Sequence, residues 1–227
     1  MKKREFLKKS AALASLAVLP SPVWSLNKEK IRIAQIGTGG MGAQDLNFLS
    51  SHSQVEIVGL CDVDSLALDS AKKIYPNALS YSDYRLMLKD MEDQIDAVQI
   101  STPDHTHAPA AIMAMNLNKH VYCQKPLTHN PKEARSMIRI AKENNLITQM
   151  GIQVHSFYDY KLATILIKDG VIGKVKKVRA WTNGNSGYDK TAPIGSDPIP
   201  DSLNWNLWLG TSKKRPYLPV DITFLNF

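Results

Sequence analysis

Cysteine is scarce in this chain of 227 residues, which contains only Cys61 and Cys123. A disulfide needs the two Cα atoms to lie within about 7 Å of each other, and each cysteine ends a separate predicted strand. We therefore expect two buried free thiols. Metal-ligand spacing is missing as well, because His105 and His107 have no cysteine or carboxylate partner at the spacing that zinc sites use. The sequence predicts no metal site.

Basic stripes with interleaved aromatic residues, which are typical of nucleic-acid-binding chains, are absent from the sequence. Aromatic residues make up only 7% of the chain. The net charge of +7 does not change this interpretation. Five basic residues and one acidic residue lie within the first nine positions, so the rest of the chain carries a net charge of only +3. We expect no nucleic-acid partner.

A long apolar run is also missing near the N-terminus, where residues 11–19 are too few to span a membrane. A basic segment precedes this run and Val23-Trp24-Ser25 follows it, which predicts an export signal over residues 1–25. Lys3-Arg4-Glu5-Phe6-Leu7-Lys8 resembles a twin-arginine signal with lysine at the first arginine position. We expect a periplasmic protein with no stable membrane span, exported by this route or by general secretion. A retained anchor is the alternative.

A glycine-rich turn joins the first predicted strand, residues 31–36, to the first predicted helix. Its sequence is Gly37-Thr38-Gly39-Gly40-Met41-Gly42. In this Gly-x-Gly-x-x-Gly pattern the first glycine allows the tight turn and the second lets a pyrophosphate approach the backbone. The third glycine lets the helix lie close to the strand. We predict that these six residues bind the phosphates of a dinucleotide.

Asp62 ends the second predicted strand, 20 residues after the third glycine. This spacing suits a carboxylate that accepts hydrogen bonds from an adenosine ribose. A glycine turn with a solvated aspartate is the alternative interpretation. Because a carboxylate repels a 2′-phosphate and the apolar Val63 offers nothing to bind one, we predict NAD rather than NADP as the cofactor.

Strand and helix patterns alternate between residues 26 and 150. The predicted strands cover residues 31–36, 55–61, 79–81, 97–101, 120–123 and 147–150. The predicted helices cover residues 41–51, 65–74, 83–91, 108–116 and 131–143. Nearly continuous apolar strands that alternate with helices indicate a parallel sheet with both faces buried. We therefore predict an α/β fold, a Rossmann-type doubly wound parallel sheet that forms a dinucleotide-binding domain over residues 26–150.

The pattern changes after Met150. A helix is predicted over residues 158–168, a strand with one solvated face over 174–181, and an apolar segment with two tryptophans over 203–209. One strand and one helix make a poor domain, because a stable sheet needs about three strands and a covered face. We therefore expect residues 151–227 to be an incomplete, truncated α/β second domain, and residues 26–227 alone to be poorly soluble.

Two segments near strand ends carry candidate chemistry. Thr102 and Pro103 follow the strand 97–101, where such folds bind ligands, and His107 either positions a nicotinamide ring or caps the next helix. Lys125 follows the strand 120–123 and precedes a proline, which predicts a lysine held towards the crevice. Such a lysine can orient a sugar hydroxyl and favour its ionised form as hydride leaves the carbon. An ordinary surface lysine is the alternative.

These segments resemble the glucose–fructose oxidoreductase/inositol dehydrogenase (Gfo/Idh/MocA) family. The resemblance rests on the glycine turn, Cys61-Asp62-Val63-Asp64, Ser101-Thr102-Pro103-Asp104-His105-Thr106-His107 and Lys119-His120-Val121-Tyr122-Cys123-Gln124-Lys125-Pro126. It implies a Rossmann domain followed by an α/β domain that often makes dimer contacts, so the full-length parent is expected to be a homo-oligomer. It also implies a small sugar or polyol substrate and an NAD or NADP cofactor.

The resemblance assigns roles to further residues. The usual family motif is Glu-Lys-Pro, whose lysine corresponds to Lys125, and Gln124 replaces the glutamate beside the cofactor. This Gln-Lys-Pro form, with an export signal and Trp205-Asn206-Leu207-Trp208-Leu209-Gly210, resembles an exported bacterial subgroup. Gln153 and His155 are expected near the nicotinamide or substrate, with a backbone-bonded histidine as the alternative for His155. Trp205 and Trp208 either stack on a sugar or form core.

The resemblance also implies a Gly-Asp-x-x-x-His-like catalytic segment in the second domain, and nothing after Gly210 fits it. Whether the chain is an enzyme therefore stays open, and three hypotheses follow. The first is a fragment of an exported NAD-dependent sugar or polyol oxidoreductase. The second is an NAD-dependent glycoside-cleaving enzyme that oxidises its substrate transiently before elimination. The third is an inactive nucleotide-binding module.

Overall fold

The computed structural model of the chain describes residues 30–181 and 195–219. The predicted export signal lies outside the described residues. Six parallel strands form a sheet in the order β3-β2-β1-β4-β5-β6. The strands are β1 (Ile31–Ile36), β2 (Val55–Cys61), β3 (Leu79–Tyr81), β4 (Ala97–Ile100), β5 (His120–Gln124) and β6 (Thr148–Gly151). The strand order reverses between β1 and β4, so the predicted Rossmann-type fold is confirmed.

Seven α-helices accompany the strands in the described ranges. They are α1 (Met41–Ser50), α2 (Ser65–Ile74), α3 (Tyr84–Asp90), α4 (Asp104–Asn116), α5 (Pro131–Glu143), α6 (Tyr158–Lys168) and α7 (Trp205–Leu209). Short 3₁₀ turns lie at Glu92–Gln94 and Gln153–Ser156. Among the described residues no helix is both long and apolar enough to cross a membrane.

The core has two parts. The larger part involves β4, β5, α4 and α5, with Ile100, Met115 and Cys123 fully buried, and the smaller part brings Leu46 of α1 against Leu60 of β2. Side-chain caps fix the starts of four of the seven described helices, α2, α3, α5 and α7. Asn130 accepts hydrogen bonds from the backbone N–H groups of Lys132 and Glu133 in the first turn of α5, as part of a reciprocal capping box.

Both cysteines are buried free thiols, as predicted. They lie in one row across the sheet, where Cys61 aligns with Ile36, Ile36 with Ile100, and Ile100 with Cys123. Two strands therefore separate the thiols. Burial raises the pKa of Cys61 far above its ordinary value and that of Cys123 to about 12, so both stay protonated at neutral pH.

One helix start and one predicted strand differ from the structure by more than a single residue at a boundary. The fourth helix begins at Asp104 instead of residue 108, because Pro103 serves as its N-cap and Pro109 lies inside the helix. The residues from Asp104 to His107 are therefore helical. The predicted strand over residues 174–181 is wrong: these residues are exposed, and no strand of the described chain pairs with them. A strand pattern without a neighbour to accept its hydrogen bonds does not form a strand.

The two tryptophans of α7 belong to a small cluster of their own. Trp205 and Trp208 stack with ring centroids 4.7 Å apart, and Tyr217 meets Trp205 edge-on at 5.2 Å. All three side chains are buried, and Val63 and Leu203 lie against them. The core interpretation of the two tryptophans is therefore correct.

Candidate functional site

The glycine turn between β1 and α1 uses positions that only glycine fits. Gly37 has φ +86°, and a Cβ there would lie 2.5 Å from the carbonyl oxygen of Ser101. A Cβ on Gly42 would lie 2.0 Å from the carbonyl oxygen of Gly37. Gly40 caps α1 without any side-chain hydrogen bond, and nothing lies within 4 Å of the place its Cβ would take. The turn thus leaves open space in front of a helix N-terminus whose N–H groups attract anions.

Asp62 holds this turn in shape. Its Oδ2 accepts hydrogen bonds from the Thr38 N–H at 2.7 Å, the Thr38 hydroxyl at 3.1 Å and the Gly39 N–H at 3.3 Å. Its Oδ1 accepts one from the Asp64 N–H at 3.0 Å. A carboxylate has about four lone-pair sites, so Oδ1 retains acceptor capacity for a ribose hydroxyl.

A cavity of about 650 Å³ lies in front of the turn, at the carboxyl ends of β1, β2 and β4. This volume falls within the range of small-molecule sites. Seven of the predicted cofactor residues line it: Gly37, Gly39, Gly40, Met41, Asp62, Thr102 and Pro103. Thr38 and Gly42 are buried in the turn itself. The turn, the Asp62 carboxylate and the residues after β4 therefore face one another.

His107 does not line this cavity. Its ring is buried, with Nδ1 2.6 Å from the Pro126 carbonyl oxygen and Nε2 2.8 Å from the Thr102 carbonyl oxygen. The ring thereby ties the segment after β4 to the segment after β5. A histidine that caps a helix accepts a hydrogen bond from a backbone N–H of the first turn. Both ring nitrogens of His107 instead lie against carbonyl oxygens, so the residue bridges two segments.

Gln124 also lies behind the cavity, in a buried polar cluster that the sequence did not predict. The centre of the cluster is Asp45 of α1, which is 8% exposed. Its Oδ2 accepts hydrogen bonds from the Ser101 hydroxyl at 2.6 Å, the Gln124 Nε2 at 2.8 Å and the Gln99 Nε2 at 3.1 Å. A carboxylate, that of Asp45, therefore lies within hydrogen-bond distance of the Gln124 amide. Together with burial, Asp45 raises the pKa of the Tyr122 hydroxyl.

Lys125 directly follows β5, and its side chain is exposed. Its neighbours in sequence are fixed: Gln124 by Asp45, and Pro126, joined to Lys125 by a cis peptide bond, by His107. Lys125 does not line the cavity around the glycine turn. It lies at the same edge of the sheet, because all six strands are parallel.

Gln153 and His155 follow β6, the next strand along the sheet. The Gln153 amide reaches the sulfur of Met41 at 4.0 Å, which links this segment to the glycine turn. His155 is exposed and stacks on Tyr160, with ring centroids 5.0 Å apart. The structure gives no hydrogen bond from the His155 ring to the backbone among the described residues.

Sequence reasoning missed two groups of residues. Asp45 lies in a helix whose other charged and polar residues are exposed, so its burial has no local signal. A usable hint is that Gln35, Gln99 and Gln124 lie inside apolar strands, where polar side chains need partners. The other group, residues 202–211, forms one wall of the cavity although it lies some 140 positions after Asp62.

The residues present fit a dinucleotide. The glycine positions leave room for a pyrophosphate at a helix start that has no side-chain cap. The Asp62 carboxylate lies beside the place that an adenosine ribose would take. No group of three potential metal ligands occurs in the described ranges. The arrangement can hold NAD and place Lys125 along the same sheet edge.

Comparison with known proteins agrees with this geometry. A family model described as an oxidoreductase family with an NAD-binding Rossmann fold, Gfo/Idh/MocA, matches residues 31–152. A glycosyl hydrolase family 109 protein of Stenotrophomonas maltophilia is 37% identical over 134 residues, which cover 55% of this chain and 29% of that protein. The chain spans about three to four tenths of the length of this and two other curated relatives that it matches.

Two solved structures are similar in fold and sequence. The myo-inositol 2-dehydrogenase of Lactobacillus plantarum superposes with a TM-score of 0.59 and 33% identity, covering 64% of this chain and 43% of that chain. The WlbA dehydrogenase of Bordetella pertussis, in complex with NADH and UDP-GlcNAcA, gives a TM-score of 0.56 and 25% identity. That match covers 62% of this chain and 42% of the other.

Proposed function

The chain belongs to the Gfo/Idh/MocA oxidoreductase family, and from this premise we propose that it is the cofactor-binding part of an NAD-dependent oxidoreductase acting on a sugar or polyol hydroxyl. One observation carries the proposal. Lys125 follows β5 at the sheet edge where β1 ends in the glycine turn. Oxidation of a hydroxyl takes a hydride from carbon and releases a proton from oxygen to water, and a cation near that oxygen favours loss of the proton.

In this proposal the chain's residues bind the dinucleotide, orient the substrate hydroxyl and stabilise its ionised form. The glycine turn and Asp62 hold the dinucleotide, which when bound would exchange a hydride with a substrate carbon. Lys125 orients the substrate hydroxyl and favours its ionised form. The bonds from Gln124 to Asp45 and from His107 to the Pro126 carbonyl fix the backbone on both sides of Lys125. Gln153 and His155 are proposed to lie near the substrate.

We propose NAD rather than NADP because the ribose end of the cavity is acidic. Asp62 faces it, and a carboxylate repels a 2′-phosphate. The one arginine among the residues that line this cavity, Arg85, is held by Asp83 through bonds of 2.6 and 2.9 Å. That pairing lowers the pKa of Asp83 and engages the guanidinium. A tighter dissociation constant for NADP than for NAD would contradict this choice.

The experiment is an NADH-absorbance assay of the full-length parent protein with NAD and a panel of cyclitols, aldoses and their glycosides. We expect Lys125→Met to lower turnover by about 10²-fold or more, as loss of a group that stabilises the developing charge does. Its NADH affinity, followed by fluorescence titration, should stay unchanged. Lys119→Met is the matched control, since Lys119 precedes the same strand at its opposite end. Equal turnover in the Lys125→Met variant and the unaltered chain would contradict the role of Lys125.

A second function is favoured by the 37% identity to a glycosyl hydrolase family 109 protein. In that case the oxidation would be transient, and elimination would break a glycosidic bond. Release of the aglycone from a chromogenic glycoside without net NADH would identify this activity. NADH binding without turnover of any substrate would favour a nucleotide-binding module instead.

Cellular placement and assembly are part of the proposal. The export signal predicted over residues 1–25 supports a periplasmic protein, and the family resemblance supports a homo-oligomeric parent. Cell fractionation with an antibody to residues 30–181 tests the first of these, and light scattering of the parent protein tests the second.

A further inference from the structure

The cavity in front of the glycine turn has an outer wall that no part of the Rossmann sheet supplies. This wall is residues 202–211, here called the strap. The matched family model ends at residue 152, so the strap lies outside the part of the chain that carries the dinucleotide-binding fingerprint. Its backbone returns across the mouth of the cavity and is bonded on both sides.

One side of the strap is attached just after β2. The Ser65 N–H donates to the Ser202 carbonyl at 2.9 Å, and the Asn204 N–H donates to the Val63 carbonyl at 2.9 Å. Asp64 and Leu203 form an antiparallel bridge between these two bonds. The strap therefore begins beside Asp62, at the ribose end of the cavity.

The other side is attached to the start of α4, after β4. The His105 ring Nε2 lies 2.7 Å from the Trp208 carbonyl oxygen and tilts against the Trp208 ring at 5.0 Å. The Thr211 hydroxyl donates to the His105 carbonyl at 3.4 Å. Because β2 and β4 flank β1 in the sheet, the strap crosses in front of the glycine turn.

The strap is anchored independently of any ligand. Trp205 and Trp208 turn into their buried cluster, and the Trp205 Nε1–H donates to the Arg215 carbonyl at 2.9 Å. Trp208 also borders the cavity, and the other strap residues that line it include Leu203, Asn206 and Leu207. Asn206 is exposed and Leu207 half-buried, so both keep surface that a ligand can cover.

We propose that the strap is part of the nucleotide site: it covers the adenosine half of the bound dinucleotide and slows its release. The adenosine half is specified because the strap faces Asp62 and Val63, whereas Lys125 and Gln153 lie further along the sheet edge. Leu203 and Leu207 offer apolar surface to an adenine face, and the Asn206 amide offers one donor pair and one acceptor to its edge. This inference rests on the proposed NAD cofactor.

The first test uses hydrogen exchange on the unaltered 227-residue chain with the two halves of NAD as separate probes. Adenosine monophosphate should slow exchange at the backbone amides of Leu207 and Trp208, and nicotinamide mononucleotide should leave them unchanged. If NADH binds but neither probe slows exchange at these two amides, or both slow it equally, the strap proposal alone is overturned. Failure of NADH and both probes to bind at all overturns the proposed function together with it.

The second test uses stopped-flow release of NADH. We expect the double variant Asn206→Ala/Leu207→Ala to release NADH at least about tenfold faster, a factor that corresponds to about 1.4 kcal/mol. Lys213→Ala is the control, since Lys213 is exposed just beyond the strap and does not line the cavity. An unchanged or slower release from a variant with an unaltered unfolding midpoint overturns the proposal. If the double variant unfolds, the exchange experiment decides alone.

Discussion

Replacing Gln124 with glutamate restores the usual family motif, yet we expect it to cost the fold about 4 kcal/mol of unfolding free energy at pH 7. The Gln124 amide donates to Asp45 at 2.8 Å, and the two side chains are 4% and 8% exposed. Two carboxylates about 3 Å apart repel each other by roughly 6 kcal/mol at an effective dielectric constant of about 20. Protonating an ordinary glutamate at pH 7 costs only about 4 kcal/mol. Protonation is therefore the cheaper outcome and sets the expected loss.

The sign of the pH dependence follows from this argument. The neighbouring charge raises the pKa of the introduced carboxyl in the folded state above its unfolded value of about 4.3, so the folded state binds more protons. Stability then falls as pH rises from about 4.3, by about 1.4 kcal/mol per pH unit, until the folded-state pKa is reached. Near pH 4 the protonated carboxyl donates to Asp45 in place of the amide, and little stability is lost.

Urea denaturation of Gln124→Glu at pH 7 and near pH 4 measures the effect. Gln44→Glu is the matched control, since Gln44 is exposed on the same helix as Asp45, and it should change stability by less than about 0.5 kcal/mol. The double variant Asp45→Asn/Gln124→Glu exchanges the carboxylate and the amide and should recover more than half of the loss. An equal loss at both pH values, or a double variant less stable than Gln124→Glu, would refute the reasoning.

Four further outcomes are expected. Burial, with smaller effects of His129 and Arg215, lowers the pKa of His105. The stability that this neutral ring contributes is therefore present above pH 6.5 and lost on acidification. The urea midpoint should accordingly fall less between pH 7 and 5.5 in His105→Gln than in the unaltered chain. The Arg32 guanidinium lowers the pKa of Asp96, so Asp96→Asn should destabilise at pH 7 and the deficit should shrink as pH falls below about 3.8, measured in the same way. Gly42→Ala should weaken NADH binding by at least about tenfold in a fluorescence titration, because its Cβ would meet the Gly37 carbonyl oxygen at 2.0 Å. Finally, Cys123 should react with a thiol reagent only on unfolding, since burial raises its pKa to about 12; rapid labelling of the native chain would contradict this.

The sheet was predictable because its signals are local. Apolar strands of three to seven residues alternate with helices, and the bounds of β1, β2 and β3 agree with the sequence prediction. The glycine turn and Asp62 were predictable for the same reason, since their spacing is fixed by the strand–turn–helix unit itself. The start of α4 was placed too late: the structure begins this helix at Asp104, with Pro103 as its N-cap and Pro109 inside it.

The rest of the site depends on contacts between distant positions. Asp45 and Gln124 are separated by 79 positions, and nothing in the sequence around Asp45 distinguishes it from a solvated helix residue. The strap meets His105 across 103 positions through a backbone carbonyl, which carries no residue-type signal. The strand predicted over residues 174–181 failed for the converse reason: its alternation is a local property, whereas a strand also needs a neighbour.

The pairing of Asp45 with Gln124 restricts how this sequence can have diverged from relatives that carry glutamate in the motif. A lineage that acquires the glutamate first passes through an intermediate with two buried carboxylates. That intermediate is about 4 kcal/mol less stable at pH 7 than the chain with Gln124. A lineage that loses the Asp45 charge first leaves amide and hydroxyl donors without an anion, a smaller penalty per group. The two positions are therefore epistatic, and the order of their substitutions is not free. Substitution of the Gln124 amide by a carboxylate is therefore tolerated only in a sequence that has already lost the charge of Asp45.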